Sequence, residues 1–461
     1  MGKTITTNYD FLTKAPVYRV VLVMSIPTVI SMLSTSCYNI LDTYFVSLLG
    51  TEATVGVGIS FVVMTILQAI GFFFGNGVGN YVAIQLGAKN RENAQIMTSV
   101  GMMYALCVGV IISVAGLIFL DPLCLWLGSS GDTDPYTKVY LRYILFSAPF
   151  VIGSFMLNLQ LRMQGRAKAA MTGIISGMVL NAILDPLLIL FFSLGIYGIG
   201  AATLISQAFS FIILWIMALR SYCPPSLGLL KMSYKSMLVI FNGGFPSLVR
   251  QGLGCITILM LNLAAITYGE EAVAAMTVTT RITFLVMSVI TGLAQGFQPL
   301  CGFCYGAGLY SRIKAAFKFT VLAGSILLVT ATCVGLFFIH ELFAVFSNDA
   351  DVIELGSDAL RCQMLVFPIE AYVIVASMFL QTINSTVFAS LMALIRKGVL
   401  FIPLILILPH FCGFKGVEVC QPICDVFAFL LAVPFVTRVF AGMNVDCSMP
   451  QYKNVQLVSQ S

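Results

Sequence analysis

Two aspartates interrupt long apolar stretches in the first half of the chain. Asp42 follows Tyr38 by four residues, and Asp185 follows Asn181 by the same spacing. Residues four apart share one face of a helix, so each carboxylate has a second polar side chain beside it. Oxygen groups of this kind suit a proton or a hard monovalent cation. We therefore expect a cation-coupling site around Asp42 and Asp185, with Pro186 loosening the backbone beside the second acid.

Each aspartate also has a structural interpretation. Asp42 could accept hydrogen bonds from amides at a helix end, and Asp185 could be a solvated acid at the outer edge of a helix. An ionisable side chain at membrane depth costs at least about 2.5 kcal/mol, however, and such residues usually mark a transport path. This cost favours the functional interpretation of both acids.

The second half carries a different set of ionisable residues inside its apolar stretches. Arg250 and Glu370 either line a cavity, together with Gln298, or neutralise each other between two helices. For Arg281 and Asp425 we expect a role in packing and orientation. No acid stands in the second half where Asp42 or Asp185 stands in the first, so we place the carboxylate chemistry in the first half.

The thirteen cysteines do not indicate a metal site. Cys301-x-x-Cys304 and Cys420-x-x-x-Cys424 have metal-like spacing, but neither of the two histidines is close to them in the sequence. A zinc site usually needs four nitrogen or sulfur ligands. We expect these cysteines to be small packing residues, and we expect neither a bound metal nor an organic cofactor.

The composition requires lipid as the solvent for this chain. Hydrophobic residues make up 59% of its 461 residues and charged residues only 9%, against about 25% charged in soluble domains. The net charge of +5 is spread over short loops, which argues against a nucleic-acid partner. Membrane-crossing helices need about 20 apolar residues. Twelve such helices are predicted, near 17–46, 54–83, 94–120, 137–161, 168–192, 197–220, 236–266, 272–302, 314–339, 354–384, 390–409 and 415–440.

The charges between these helices alternate in sign and predict the orientation. The segments on the side of the N-terminus carry Lys3, Lys14, Arg19, Lys89, Arg91, Arg162, Arg166, Lys168, Arg220, Lys231, Lys235, Arg312, Lys314, Lys318, Arg396, Lys397, Arg438 and Lys453. The opposite segments carry mainly acids. By the positive-inside rule, both termini are predicted to be cytoplasmic and the protein to be a multi-pass protein of the inner membrane.

A shift of 219 residues superimposes the two halves of the sequence without gaps. Pro27 then meets Pro246, Leu141-Arg142 meets Leu360-Arg361, and Gly87 meets Gly306. Each half holds an even number of helices, so the halves have the same orientation and form a parallel repeat. We predict an all-α integral membrane protein of two pseudo-symmetric six-helix lobes, an N-lobe over residues 1–225 and a C-lobe over residues 226–461.

Several segments together resemble the multidrug and toxin extrusion (MATE) family, and the resemblance covers nearly the whole chain. They are Tyr38-Asn-Ile-Leu-Asp42-Thr-Tyr-Phe-Val-Ser-Leu-Leu-Gly50, Gly75-Asn-Gly77-Val-Gly79 with Gln85-Leu-Gly87-Ala-Lys-Asn90, Leu161-Arg162-Met-Gln-Gly165, Asn181-Ala-Ile-Leu-Asp185-Pro186, and Gln298-Pro299 with Tyr305-Gly306-Ala307. The Asp-Pro pair is similar to the prokaryotic DinF-like branch of the family.

The resemblance implies a secondary antiporter, not an enzyme, that exports organic cations or related toxic compounds against inward flow of H⁺ or Na⁺. Its implied cation-coupling residues are Asp42, Asn181 and Asp185, with Asn158 and Thr203 as partners and Tyr38 beside them. Arg250-Gln251 and Glu370 depart from the C-lobe cation site of the other bacterial branch. We expect helix 1 to move, with Pro27 as its hinge.

Further expectations concern partners and rival functions. We expect cationic amphiphiles as substrates, the lipid bilayer as surroundings and a monomer as the working state. The main alternative is a flippase for lipid-linked oligosaccharides, a related fold whose cavity is richer in bases; only Arg250 and Arg281 are expected to be intramembrane bases here. A membrane enzyme or a receptor is the remaining alternative, and neither a catalytic cluster nor an extramembrane domain supports it.

Overall fold

The computed structural model of the chain describes residues 9–129, 131–226, 233–344 and 349–445, with the side chains at 38–41, 190 and 444–445 outside the description. All its regular elements within these ranges are helical, and twelve helices are long and apolar enough to cross a membrane. They are α1 (Val17–Ser47), α2 (Thr51–Gly87), α3 (Arg91–Ile118), α4 (Asp134–Met163), α5 (Ala167–Pro186), α6 (Gly195–Leu219), α7 (Tyr234–Ala265), α8 (Glu270–Gly306), α9 (Tyr310–Phe337), α10 (Ala350–Thr382), α11 (Thr386–Cys412) and α12 (Phe414–Val445).

The observed helices confirm the predicted number and order and extend most of the predicted bounds. Helix α2, for example, begins at Thr51 instead of residue 54 and ends at Gly87 instead of residue 83. Apolar runs mark only the part of a helix that lies in lipid, whereas the backbone ladder continues until a cap or a glycine ends it. At the start of α3, the Asn90 side chain accepts the backbone N–H of Asn93 at 3.2 Å.

The packing between the halves follows the sequence repeat. Under the 219-residue shift, α1 corresponds to α7 and α2 to α8. In the structure α1 packs along α8, and α7 packs along α2, so one contact is the image of the other. Helices α2 and α8 also touch each other, as two equivalent helices do across a two-fold axis. The all-helical, two-lobe architecture is therefore confirmed.

Two glycines allow α2 and α8 to approach closely. A Cβ atom placed on Gly87 would collide with the carbonyl oxygen of Phe303, and one placed on Gly306 would collide with that of Ile84. Phe303 and Ile84 are themselves 219 residues apart, so the two contacts exchange under the repeat. Backbone meets backbone at both points, which is the role of small residues at membrane helix interfaces.

Replacing either glycine by alanine is expected to destabilise this interface. The added methyl group would meet main-chain atoms, which cannot rotate away, and overpacking of this kind costs about 1–3 kcal/mol. We expect Gly87→Ala and Gly306→Ala each to lower the thermal denaturation midpoint in detergent, measured by size-exclusion chromatography after heating. Gly252→Ala is the matched control, because no heavy atom lies within 4 Å of its added Cβ. An equal effect of all three substitutions would contradict the interpretation.

The lobes are joined in one half of the bundle. Since twelve helices form an even number of crossings, α1 begins and α12 ends at the same end of the molecule, called the termini end below. The Ser25 hydroxyl donates to the Leu293 carbonyl at 3.0 Å, and the Asn76 amide donates to the Ser247 hydroxyl at 2.9 Å. Among the described residues, every hydrogen bond between the lobes lies in the half next to the termini end.

Candidate functional site in the first lobe

Four helices bring polar side chains to a single layer of the N-lobe. Asp42 is five residues before the end of α1, and Asp185 is at the last turn of α5. Tyr140 is six residues after the start of α4, and Thr203 is eight residues after the start of α6. Because successive helices run in opposite directions, all four positions lie in the half of the bundle away from the termini end.

The side chains in this layer interact with one another. The Asn181 amide donates to Oδ1 of Asp185 at 3.2 Å. Asp42 and Asp185 lie within electrostatic range of each other. Tyr140 is buried within range of both carboxylates and beside Thr203. Two carboxylates with three uncharged polar neighbours form a site that can exchange a proton or bind one small cation.

Two oxygen atoms of this layer have no hydrogen-bond partner among the side chains that the structure describes. Asp42 Oδ1 and Asn181 Oδ1 are buried, and no partner for them is found among the described side chains, whereas Thr203 lies beside the Tyr140 hydroxyl. Burying a polar atom without a partner costs about 1–3 kcal/mol. A proton on a carboxylate, or a cation that takes oxygen ligands, would remove this cost. The donor set therefore fits H⁺ or Na⁺.

The structure does not bring every expected residue into this layer. The Asn158 amide donates to the carbonyl of Ala170 at 2.9 Å, at the other end of α5. Ala170 is fifteen residues from Asp185, which is about 22 Å along a helix. Asn158 instead lines a cavity of about 30 Å³ that also borders α1 at Ser31. The side chain of Tyr38 lies outside the described residues.

Tyr140 is a member of the layer that the sequence analysis missed. Its neighbours Leu141 and Arg142 were used only to align the repeat. The signal that could have identified it is membrane depth: Tyr140 lies six residues from the start of α4, and Asp42 lies five residues from the end of α1. Polar residues at equal depth on adjacent helices are the ones that can meet.

Pro27 lies in an uninterrupted helix between two contacts with the other lobe. Ser25 packs against Gly296 and Val29 packs against Gly292, both on α8. Proline supplies no backbone N–H, so one bond of the α1 ladder is missing there. The Ser31 hydroxyl donates to the Pro27 carbonyl at 3.0 Å. The hinge at Pro27 remains a prediction, and its place next to the inter-lobe contacts is consistent with it.

The C-lobe contains a buried ionic group that has no counterpart among the described residues of the N-lobe. Arg396 Nη2 donates to Glu370 Oε1 at 2.6 Å, and Arg396 Nε donates to Asp425 Oδ1 at 2.5 Å. One guanidinium thus bridges α10 and α12 from its position on α11. The three residues lie in the middle stretches of their helices, so the group is near the centre of the membrane.

This arrangement corrects three expectations. Arg396 and Lys397 were counted among the charges of a cytoplasmic segment, but they belong to a π-helical turn, Ile395–Val399, inside α11. The positive-inside rule treats basic residues as loop residues. Here buried acids on neighbouring helices stabilise a base inside the membrane. Glu370 therefore pairs with Arg396 and not with Arg250. Asp425, for which only a role in packing and orientation was expected, forms an ion pair with Arg396.

The remaining C-lobe residues are dispersed. Arg250 donates to Gln381 Oε1 and to the Ser247 hydroxyl, both at 3.4 Å. Gln298 donates to the Thr382 hydroxyl at 3.3 Å, at the termini end of α10 and about 18 Å along that helix from Glu370. Arg281 is exposed on α8. Within the described ranges, no group of three or more His, Cys, Asp or Glu side chains is placed to hold a metal ion.

The comparison with protein families decides the assignment. Residues 27–187 and 246–407 each match the MatE family, and the two matched segments begin 219 residues apart. The chain belongs to the MatE family. Its members are membrane transporters, so this protein is a transporter and not an enzyme. It is 28% identical to the multidrug export protein MepA of Staphylococcus aureus (strain MSSA476), over 94% of this chain and 97% of that protein.

Other relatives agree with this family. The multidrug export protein MepA of Staphylococcus saprophyticus is also 28% identical, over 91% of this MatE chain and 94% of its own length. Two solved structures match the fold with a TM-score of 0.89, at 24% identity, over 95% of this chain and 99% of theirs. One is a MOP superfamily transporter from Pyrococcus furiosus, and the other is an outward-facing multidrug resistance MATE family transporter.

Proposed function

We propose that this MatE protein is a secondary multidrug antiporter that exports organic cations by alternating access, driven by inward flow of H⁺ or Na⁺. The observation that carries the proposal is the acid layer of the N-lobe. It holds two carboxylates and two oxygens without a partner among the described side chains, and Leu261 and Leu404 occupy the positions in the C-lobe that correspond to the two acids. The names of the relatives, which are multidrug export proteins, supply the cargo class.

The shape of the molecule supports the direction of transport. The lobes are joined next to the termini end, and the predicted orientation puts that end in the cytoplasm. The acid layer lies in the opposite half, so a cation arriving from outside reaches Asp42 and Asp185 while the inner contacts are closed. A bend of α1 at Pro27 would then alter the contacts that Ser25 and Val29 make with α8.

Coupling in such a transporter requires that cation and cargo oppose each other. By linkage, a cation that weakens cargo binding is itself bound more weakly when cargo is present. Neutralising the acid layer removes the charge that attracts an organic cation. Release of the cation to the inside restores that charge. In this mechanism the carboxylates interact alternately with the coupling ion and with the positive charge of the cargo.

The proposal includes the surroundings of the protein. Small cationic amphiphiles are the expected substrates, because methionine and aromatic side chains adapt to varied apolar cations. The chain is proposed to work as a monomer in the inner membrane, with both termini in the cytoplasm. No organic cofactor is needed for this mechanism.

The flippase alternative must be judged on the corrected positions of the bases. Arg396 and Lys397 add two intramembrane bases to Arg250, so scarcity of bases no longer argues against a flippase. The family match over both halves and the acid layer favour the antiporter. Rescue of a flippase-deficient strain by this chain would reverse that preference.

Ethidium export from vesicles tests the proposed function. We expect purified protein in proteoliposomes to move ethidium when a proton gradient or a sodium gradient is imposed, and not when both are absent. Imposing the two gradients separately identifies the coupling ion. Protein-free liposomes provide the control. Ethidium movement that is equal with and without gradients would contradict the antiport mechanism.

A further inference from the structure

The second lobe contains two basic side chains without an acidic partner. In the group formed by Arg250, Glu370, Arg396, Lys397 and Asp425, both acids are bound by Arg396. Among the described residues, no carboxylate oxygen lies within 4 Å of the Arg250 or Lys397 nitrogens. Three bases against two acids leave one positive charge in excess near the centre of the membrane.

The two unpaired bases lie on the same side of α7. A Cβ placed on Gly254 would be 3.2 Å from the Lys397 ammonium, so that ammonium rests over a position without a side chain. Gly254 is one helical turn beyond Arg250 and shares its face. Lys397 is close enough to Arg250 and Arg396 to experience their charges. Like charges at this depth repel each other, and an anion between them would remove the repulsion.

The backbone of α11 holds Lys397 in place. The π-helical turn directs Arg396 towards α10 and α12, while the next residue faces α7. The Thr257 hydroxyl donates to the Lys397 carbonyl at 3.2 Å, and a Cβ on Gly398 would lie 3.1 Å from Leu253. Two contacts therefore fix α7 against this turn, one at Lys397 itself and one at the next residue. π-Helical turns inside longer helices are frequent at functional sites.

We propose that Arg250 and Lys397 form a binding site for the carboxylate of a zwitterionic substrate in the second lobe. This inference rests on the proposed export function and names part of its cargo. The cationic end of such a molecule would be left free to interact with the acid layer of the N-lobe. Fixed opposite charges in the two lobes would give a zwitterion a preferred orientation, as complementary charges do in other recognition sites.

A matched pair of compounds tests the site. Norfloxacin carries a carboxylate and an amine, and its ethyl ester keeps the amine but lacks the anion. We expect Lys397→Met and Arg250→Gln each to weaken norfloxacin binding by about tenfold or more relative to ester binding, because hydrogen bonds to charged groups are lost. Binding is measured by thermophoresis of purified protein in neutral detergent without added lipid. The signal is read from a fluorescent label and not from tryptophan.

Two control variants separate charge from folding. Lys397→Arg keeps the positive charge and should retain the preference for norfloxacin over its ester. Arg281→Gln removes an exposed base of the same lobe and should leave that preference unchanged. Each variant is compared only if it elutes as a single species. Equal losses for acid and ester, or no loss for the acid, would overturn the proposal.

The same assay separates this inference from the proposed function and from a lipid ligand. Selective norfloxacin binding by a protein that exports neither compound would support the carboxylate site while refuting antiport. Ethidium export by a protein without that selectivity would refute only the site. Short-chain phosphatidylglycerol is titrated in parallel. Lys397-dependent binding of this lipid, together with Lys397-independent binding of norfloxacin, would overturn the proposal in favour of a lipid site.

Discussion

Asp42→Asn is expected to reduce gradient-driven ethidium export in proteoliposomes by about tenfold or more, because typical coupling free energies correspond to about 5–150-fold. The amide keeps the shape of the side chain but cannot carry the negative charge that a proton or Na⁺ neutralises. Asp185→Asn should have a similar effect, because the two carboxylates lie within electrostatic range of each other. The measurement is the initial rate of ethidium movement after a proton or sodium jump.

Ethidium binding in the absence of a gradient should weaken as well, because the same negative charge attracts the cargo in the proposed mechanism. Asp121→Asn is the matched control: this acid lies outside the membrane helices and forms a 2.8 Å ion pair with Lys138. A hydrogen bond and the charge of Lys138 keep the pKa of Asp121 below its ordinary value, so it too is ionised in wild-type protein. Full export by Asp42→Asn would refute the coupling role of the acid layer.

Removing Arg396 is expected to destabilise the C-lobe strongly. Glu370 and Asp425 are both buried, and Arg396 is the shared partner of both carboxylates. Breaking a buried ion pair by removing one partner costs about 3–5 kcal/mol, since the other charge is left uncompensated. We expect Arg396→Leu to lower the thermal denaturation midpoint in detergent by more than any single exposed charge substitution does.

Two comparisons make the test specific to buried charge. Arg361→Leu removes a base that forms a 3.1 Å ion pair with Asp358, and both side chains are 48% exposed. Exposed ion pairs contribute only about 0–1 kcal/mol to stability. The triple variant Glu370→Gln, Arg396→Met, Asp425→Asn removes all three charges and should recover most of the lost stability. A triple variant as unstable as Arg396→Leu would show that shape, and not uncompensated charge, determines stability here.

The helices and the repeat could be predicted because they depend on the properties of individual residues and not on contacts between helices. Hydropathy marks the lipid-facing length of every helix, and matching prolines and glycines such as Pro27 and Pro246 mark equivalent points. The same reasoning misplaced Arg396 and Lys397. A base inside lipid is stable only with partners from other helices, and hydropathy contains no information about Glu370 and Asp425 on α10 and α12.

The candidate site was predicted in part for a similar reason. Asp42, Asn181 and Asp185 could be found because four-residue spacing places neighbours on one face of one helix. Partners on other helices depend on depth and rotation, which a linear sequence does not show. This explains why Asn158 was expected in the layer although it bonds to Ala170, and why Tyr140 was missed.

The contacts Gly87–Phe303 and Gly306–Ile84 are exchanged by the repeat, and a homodimer with two-fold symmetry has the same contact pattern. A six-helix protein could have formed this interface with a second copy of itself. In such a dimer any acid would occur twice, once in each subunit. Joining the two copies in one chain lets each position diverge separately, so Asp42 can stand opposite Leu261 while the shared interface stays symmetric. Fusion would then have allowed one half to take the ion and the other to specialise in the cargo.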